Sequence, residues 1–208
     1  MRTVYYAAYG SNLYAARLAC YLRGGRPPGA TRACVGARDH ALPSDSVALS
    51  IPHRLYFMGH SKLWGGAPAF VDTIRTPEHA ALARAYLITW EQFEDVVAQE
   101  NGRNTAPIEV APTELEDGFS RLIGPGRYEN LLCVGRHAGH PVVTFTAPWS
   151  LTDVEPAAPP PGYLALLIGG LRESHGLEDQ AIIRYLSSAP GCDEALVRAA
   201  LALPGTAP

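Results

Sequence analysis

The chain has 208 residues and a formal net charge of −3, with 17 Lys and Arg residues against 20 Asp and Glu residues. This length favours one compact domain that can bury a core of its own. The acidic balance argues against nucleic acid as the main partner, because neutralising phosphates needs a basic face.

The cysteines and the hydropathy pattern indicate the cellular compartment. The four cysteines are far apart and form no C-x-x-C pair, so neither a zinc ribbon nor a redox pair is indicated. No apolar run approaches the length of about 18 residues that a membrane span needs, and no secretion signal is recognisable at the N-terminus. The sequence therefore predicts a cytoplasmic protein with reduced thiols and no membrane partner.

The first predicted element is a strand that runs directly into a helix. Residues 3–9 are β-branched, aromatic and uncharged, residues 10–12 form a polar turn, and residues 13–22 have a helical pattern. Unpaired backbone N–H groups and the helix dipole favour an anion or a developing oxyanion at such a turn. The same local pattern is also typical of an ordinary connection between a strand and a helix.

The middle of the chain predicts mainly strands, some of them interrupted by Pro43 and Pro52. An acidic segment rich in Gly and Pro, residues 111–126, predicts a surface excursion. The predicted strands are residues 32–37, 47–59, 67–72, 79–88 and 107–110, followed by a hairpin of residues 128–135 and 141–147.

One helix has a clearly marked start. Thr89 is the predicted N-cap, and Gln92, three residues later, completes a capping box. Ile88 and Phe93 are spaced to pack across this cap as a hydrophobic staple.

The apolar face of the same helix ends in a carboxylate. From Phe93 to Val97 the apolar residues recur at helical spacing, and Glu100 falls on the same face. Asn101 and Gly102 then end the helix. Two interpretations stay open from the pattern: Glu100 faces the interior, or it points to water or pairs with Arg103.

The C-terminal part of the chain predicts helices. A Pro-rich connector at residues 148–162 leads into a helical region at 163–203, whose two short final helices lie near 178–188 and 192–202. Strands followed by helices predict an α+β fold with a mixed, partly closed sheet, formed by a single domain over residues 1–208.

Four segments, in order, resemble the γ-glutamylcyclotransferase-like family. Residues 9–13 read YGSNL, and residues 64–69, WGGAPA, are similar to the W-x-G-G-x-A segment of the family. Residues 99–102, QENG, resemble its E-G element with Asn101 inserted, and residues 159–163 resemble its late proline-and-tyrosine stretch. One five-residue match alone is weak evidence, but four in family order make chance an unsatisfactory explanation.

The resemblance implies a fold and a reaction. The fold is a small mixed β-barrel flanked by helices. The reaction is a γ-glutamyl cyclotransfer, in which the substrate's own α-amine attacks its γ-carbonyl and releases 5-oxoproline and an amine or amino acid. Because the reaction is intramolecular, it implies no metal or other cofactor, and the partner is a small γ-glutamyl substrate.

Two kinds of leaving group stay open: that of a glutathione-type dipeptide, and that of a γ-glutamylated natural-product intermediate of an antibiotic pathway. A homodimer also stays open.

The resemblance also implies the site residues. Glu100 matches the catalytic glutamate, which moves a proton from the attacking amine to the leaving nitrogen. Tyr163 matches a tyrosine that closes over the substrate, although a core aromatic at a helix start is the other interpretation. The inserted Asn101 and the absence of a tyrosine soon after Gly102 bear on substrate preference. The residues that match the substrate-binding loop are Tyr6, Tyr9, Gly10, Ser11 and Asn12.

Three other interpretations are weaker. Ser11 as a nucleophile lacks a G-x-S-x-G context. His137 and His140 lie in a predicted hairpin turn without a complementary ligand set, so the sequence predicts no metal site. The glycines after Trp64 predict a close backbone approach in a structural segment. The alternative to an enzyme is a non-catalytic small-molecule binding module with the same fold, and Glu100 in its context favours the enzyme.

Overall fold

The sheet is organised around its first strand. In the computed structural model, which describes residues 2–27, 33–103, 108, 110 and 112–203, this strand pairs with an antiparallel strand on one side and a parallel strand on the other. The strands of the described residues are β1 (Thr3–Ala8), β2 (Asp45–Phe57), β3 (Ala69–Arg75), β4 (Ala80–Thr89), β5 (Ser120–Leu122), β6 (Asn130–His137) and β7 (His140–Thr146), in the spatial order β3-β2-β4-β1-β7-β6-β5.

Helices cover both faces of this sheet. Alternate residues of β1 point to opposite faces, so Tyr5 and Ala7 join one apolar cluster while Val4 and Tyr6 join another. Because both faces are buried, the strand reads as a continuous apolar run. The helices α3, α4 and α5 pack in the first cluster, and α1 and α2 in the second. Their bounds are α1 (Ala15–Arg23), α2 (Trp90–Glu100), α3 (Pro161–His175), α4 (Asp179–Ser187) and α5 (Glu194–Leu201).

The sheet curls into a half-barrel. The buried Thr146 hydroxyl at the end of β7 accepts a hydrogen bond from Val71 N at 3.2 Å and donates one to Val71 O at 2.6 Å. This side chain therefore joins β7, the fifth strand in the spatial order, to β3, the first. The α+β class with a mixed, curled sheet is confirmed.

Several local predictions are also confirmed. Thr89 and Gln92 form the capping box at the start of α2, and Asn101 is its C-cap. Strands β6 and β7 form the predicted hairpin, with its turn at Ala138 and Gly139. In each case the signal lies within a few residues of the feature that it specifies.

The predicted start of the first helix was wrong by two residues. Residues Ser11–Leu13 form a single 3₁₀ turn, and α1 begins only at Ala15, after an extended Tyr14 with φ −77° and ψ 117°. The hydroxyl of Tyr86 donates to the carbonyl oxygens of Asn12 and Leu13, both at 3.0 Å. This tertiary contact takes up the carbonyls that a longer helix would have used.

Two of the strand predictions need correction. Residues 33–37 form no strand, because their backbone partners lie at the end of α1 and just after it: Cys34 makes two hydrogen bonds to Gly25, and Ala37 N donates to Leu22 O. Pro52 does not break β2: the strand continues to Phe57 with a shift of register between Ile51 and Arg54. A bulge at this point accommodates the missing proline N–H.

Half of the remaining strand prediction, 107–110, lies outside the described residues, and the two described residues in it, Ile108 and Val110, are not in a strand. The assignment of a single domain stays a prediction. No helix in the described ranges has the length and apolar character needed to cross a membrane.

Candidate active site

All seven predicted site residues line one cavity of about 670 Å³. The cavity lies where β1 ends, and the end of α2 and the start of α3 also contribute to its wall. Residues that lie more than 150 positions apart in the sequence, such as Tyr6 and Tyr163, are thereby brought together. These residues are Tyr6, Tyr9, Gly10, Ser11, Asn12, Glu100 and Tyr163.

The turn after β1 packs tightly against Tyr163. A Cβ atom at Gly10 would lie 3.1 Å from the Tyr163 hydroxyl and 3.7 Å from the Cβ of Ala69. The Tyr163 hydroxyl also accepts a hydrogen bond from Ala69 N at 3.1 Å. Glycine at position 10 therefore allows the close approach between the turn and α3, and Tyr163 forms a fixed part of the wall.

Asn12 connects the strand to the end of α2. Its side chain is 3% exposed, and its Nδ2 donates to the Tyr6 hydroxyl at 3.1 Å and to Glu100 Oε1 at 3.0 Å. An ionised carboxylate only accepts hydrogen bonds, so the amide nitrogen must face Glu100. Two hydrogen bonds thus fix the positions of Tyr6, Asn12 and Glu100 relative to one another.

Glu100 lies at the last position of α2 and is partly buried. It faces the cavity and accepts the hydrogen bond from Asn12, whereas the Arg103 guanidinium donates to the carbonyl of Pro125. The structure therefore matches the first of the two interpretations, in which Glu100 faces the interior. Among the described residues that line the cavity, Glu100 is the one acidic side chain.

The tyrosines around Glu100 stay protonated far above neutral pH. Burial, and next the charge of Glu100, raise the pKa of Tyr6 and Tyr21 well above the ordinary value of 10.0. Burial is also the main reason that the pKa of Tyr163 is raised to about 12. These phenols therefore keep their protons at neutral pH and can act as hydrogen-bond donors.

The hydroxyl of Tyr9 is occupied by the protein itself. It donates to the carbonyl oxygen of Phe145 at 2.8 Å, and the side chain is buried. The Tyr128 hydroxyl similarly donates to Ala69 O at 3.1 Å. Both rings therefore form the cavity wall with fixed hydroxyl groups.

Asn101, the residue inserted relative to the family pattern, has a structural role in the wall. Its Nδ2 donates to Tyr128 O at 2.9 Å, and its Oδ1 accepts from Tyr128 N at 2.9 Å. These two bonds tie the end of α2 to the segment that carries Arg127 and Tyr128. Sequence analysis marked Asn101 only as a departure from the pattern, since its partner lies 27 residues away.

Arg17 is a cavity residue that sequence analysis missed. It is 2% exposed, and its guanidinium lies 4.1 Å from the centre of the Tyr21 ring and 5.7 Å from that of Trp64. Burial opposes its charge, but the Tyr21 hydroxyl and the Glu100 carboxylate act in the opposite direction, and the pKa of Arg17 is raised. One feature of the sequence could have indicated this position: Arg17 lies four residues before Tyr21, which places both on one face of the helix.

Trp64 is more than a structural segment. Its ring centre lies 5.4 Å from that of Tyr163, and it lines the cavity next to Arg17. The close approach predicted for its glycines is present at Gly66, where a Cβ atom would lie 2.7 Å from Cδ of Pro160.

Most of the histidines and cysteines lie apart from this arrangement, but Cys34 and His60 line the cavity. His137 and His140 lie at the hairpin, where His140 Nδ1 is 3.0 Å from the Thr3 hydroxyl. Within the described ranges, no group of three or more His, Cys, Asp or Glu side chains is arranged to hold a metal ion. All four cysteines are free thiols, and Cys34 lines the cavity.

Two solved structures have the same fold as this chain. A γ-glutamyl cyclotransferase matches with a TM-score of 0.53 and 16% identity over 95% of this chain and 99% of the other. An uncharacterized human protein matches with a TM-score of 0.52 and 17% identity over the same shares. The chain has the γ-glutamylcyclotransferase-like fold. At these identities the likeness extends to the fold alone.

Sequence comparison adds one curated relative. Histone deacetylase 5 of Arabidopsis thaliana is 34% identical over 203 residues, which cover 89% of this chain and 30% of that protein. The chain thus spans about three tenths of the length of the curated relative that it matches. No protein-family model matches the sequence.

Proposed function

We propose that this protein is a γ-glutamyl cyclotransferase. The observation that carries the proposal is the hydrogen-bonded series Tyr6–Asn12–Glu100 in the wall of the cavity. It combines a proton acceptor, a residue that orients it and a protonated hydroxyl in one place. A fold shared with a solved γ-glutamyl cyclotransferase supports the same activity.

In the proposed reaction the substrate supplies both reacting groups. Its α-amine attacks the γ-carbonyl carbon, a new C–N bond closes the five-membered lactam, and the amide bond to the leaving nitrogen breaks. Glu100 takes the proton from the attacking nitrogen and returns it to the leaving amine. Atoms and electrons balance without water, an oxidant or a reductant. The enzyme's main task is to fold a flexible chain so that nitrogen meets carbonyl, which is an effect of positioning.

The negative charge that develops on the carbonyl oxygen needs a hydrogen-bond donor. Tyr6 is the candidate, because its oxygen accepts from Asn12 and its own proton has no acceptor among the described residues. Its raised pKa keeps that proton in place at neutral pH. Donors prearranged in a site with little water stabilise such an oxyanion strongly.

The remaining site residues bind substrate in this proposal. Ser11 and Asn12 lie at the turn where the α-carboxylate or α-amine would bind, and Gly10 leaves room for the backbone to approach. Tyr9 and Tyr163 supply the wall against the glutamyl chain. The alternative, a binding module without turnover, keeps the same contacts but makes no 5-oxoproline.

The decisive experiment measures 5-oxoproline released from a panel of γ-glutamyl dipeptides and amines, including γ-glutamylated natural-product amines. At least one member should release 5-oxoproline and its amine in equal amounts. An N-acetylated form of that substrate should not react, since its nitrogen cannot attack. Free glutamate from the acetylated compound would indicate hydrolysis and refute the cyclotransferase; tight binding without any release would favour the binding module.

A further inference from the structure

Arg17 is a buried cation that has no role in the proposed reaction as described so far. It is 2% exposed, and none of the salt bridges of the described residues includes it. Its guanidinium donates from Nη2 to the Tyr21 hydroxyl at 2.6 Å and from Nη1 to Cys34 Sγ at 3.4 Å. Removing a charge from water is costly unless other groups compensate it. The groups around Arg17 therefore indicate what its charge does.

The Tyr21 hydroxyl connects Arg17 to Glu100. Because the Tyr21 oxygen accepts a hydrogen bond from Arg17, its own proton is free to point to another acceptor. After burial, the charge of Glu100 is the largest cause that raises the pKa of Tyr21, and hydrogen bonding to the same carboxylate acts in the same direction. Tyr21 and Glu100 also line the same cavity. The acceptor for the Tyr21 proton is therefore the carboxylate of Glu100.

The backbone next to this contact is fixed by the residue before Glu100. The Nε2 atom of Gln99 donates to Tyr21 O at 3.0 Å, and its Oε1 accepts from Gly36 N at 3.3 Å. The end of α2 is thereby tied to α1 beside Tyr21. Asn12, from the turn after β1, donates to Glu100 as well. Residues of two different elements thus hold the carboxylate in place.

Several ionisable groups interact with the charge of Glu100, and Arg17 is the cation of this set. A cation near a carboxylate favours its charged form, whereas protonated tyrosines act on it as hydrogen-bond donors. Arg103, three residues after Glu100, directs its guanidinium to the carbonyl of Pro125. The groups of the set are Tyr6 from β1, Arg17 and Tyr21 from α1, Cys34, Tyr128, and Tyr163 from α3.

We propose that Arg17 and Tyr21 are positioning residues for Glu100: the guanidinium fixes the Tyr21 hydroxyl, whose proton is directed at the carboxylate, and its charge favours the ionised form that accepts a proton from the substrate. This inference rests on the proposed function and adds two residues that touch no reacting atom. Once Glu100 has taken up the proton, the same positive charge favours its release to the leaving amine.

The test measures kcat and KM for 5-oxoproline release as functions of pH. Tyr21→Phe keeps the ring and removes only the hydroxyl, so kcat should fall about tenfold, the scale of one hydrogen bond to a charged group. Arg17→Gln removes the charge and should move the acidic limb of the kcat profile to higher pH by about one unit or more. Tyr21→Phe should move the limb in the same direction, and KM should change little in both variants.

Matched variants separate charge, orientation and stability. Arg23→Gln removes a cation from the exposed last position of α1, outside the cavity, and should change neither kcat nor the limb. Arg17→Lys keeps the charge but loses the planar guanidinium, so the limb should stay near its parental pH while kcat falls. If the Tm shows that Arg17→Gln does not fold, Tyr21→Phe decides the test. An unmoved limb in the folded variants, or a raised KM with parental kcat, would overturn the inference.

A titration without turnover keeps this inference separate from the proposed function. The carboxyl carbon of Glu100 can be followed by NMR in protein labelled with ¹³C at glutamate, and Glu100→Gln identifies its signal. A midpoint displaced to higher pH in Arg17→Gln and Tyr21→Phe, with no 5-oxoproline from the parent protein, would uphold the positioning role and reject the cyclotransferase. Release of 5-oxoproline with an unchanged midpoint in both variants would reject the positioning role and keep the enzyme.

Discussion

The amide nitrogen of Asn12 lies 3.0 Å from Glu100 Oε1, although 88 residues separate them along the chain. Asn12 belongs to the turn after the central strand, and Glu100 is the last residue of a helix whose start is set by a capping box. A hydrogen bond to a carboxylate is stronger than one between neutral groups and fixes its orientation.

Replacing Glu100 by Gln should abolish most turnover while leaving the fold intact. The amide keeps the shape of the side chain but cannot take up the proton, and general acid–base groups contribute about 10²–10⁴-fold to the rate. Binding should change much less than kcat. The measurement is 5-oxoproline release on a substrate that the parent accepts, with the Tm recorded in parallel. Near-parental turnover in a folded variant would show that Glu100 is not the proton carrier.

Replacing Asn12 by Asp should alter the pH dependence of turnover. A second carboxylate facing Glu100 makes the two like charges compete, and one of them then holds its proton to higher pH. The acidic limb of the kcat profile should therefore move to higher pH in Asn12→Asp. Asn12→Ala is the control, since it removes the donor without adding a charge and should lower kcat without that displacement. An unmoved acidic limb in the Asp variant would separate Asn12 from the titrating group.

A methyl group at Gly170 should destabilise the protein, whereas one at Gly162 in the same helix should not. A Cβ atom at Gly170 would lie 2.3 Å from Leu13 Cβ, but one at Gly162 meets nothing within 4 Å. Overpacking of this kind costs about 1–3 kcal/mol in the free energy of unfolding. Denaturant unfolding of Gly170→Ala should show a loss of that size together with reduced turnover, because α3 packs directly against Leu13 in the turn that lines the cavity.

The matched variant, Gly162→Ala, should be neutral or stabilising by about 0.4–1 kcal/mol, since it restricts the unfolded chain without a clash. If both alanine variants had the same stability, the close contact between α3 and Leu13 would not be present in solution.

Alkaline pH should unfold the protein in a cooperative step that also exposes its tyrosines. Burial raises the pKa of Tyr6, Tyr9 and Tyr128 well above 10.0, and that of Tyr163 to about 12. Above pH 10 the unfolded chain binds fewer protons than the native state. The contribution of these tyrosines to the free energy of unfolding is therefore fully present below that pH and is lost as the pH rises through it. Tyrosinate absorbance and circular dichroism should change together between about pH 10 and 12. Gradual ionisation in a chain that stays folded would contradict this burial.

Features that the sequence by itself determined depend on neighbouring residues. The Thr89 hydroxyl and the Gln92 side chain specify the start of α2 locally, and a helix of known start and period carries Glu100 to a definite face. The turn of the β6–β7 hairpin, with Gly139 at φ 84°, is specified in the same way. The order of strands and helices then predicted the α+β class, and the quoted motifs pointed to the residues that line the cavity.

Features that only the tertiary structure decided depend on contacts between distant segments. The Tyr86 hydroxyl, from β4, donates to the carbonyl oxygens at the end of the 3₁₀ turn, and α1 begins only after this turn. No pattern within the first 25 residues indicates this contact. Arg17 was an ordinary helix cation in the sequence; its burial next to Trp64 depends on a loop almost fifty residues away. The environment of a side chain is set by the segments that the curled sheet brings together. The free energy of that packing depends on residues far apart in the sequence, so no local pattern contains it. Among the described residues, four cations (Arg17, Lys62, Arg103 and Arg127) and one acid (Glu100) line the cavity, although the net charge of the chain is −3. This excess of positive charge is therefore a property of the fold.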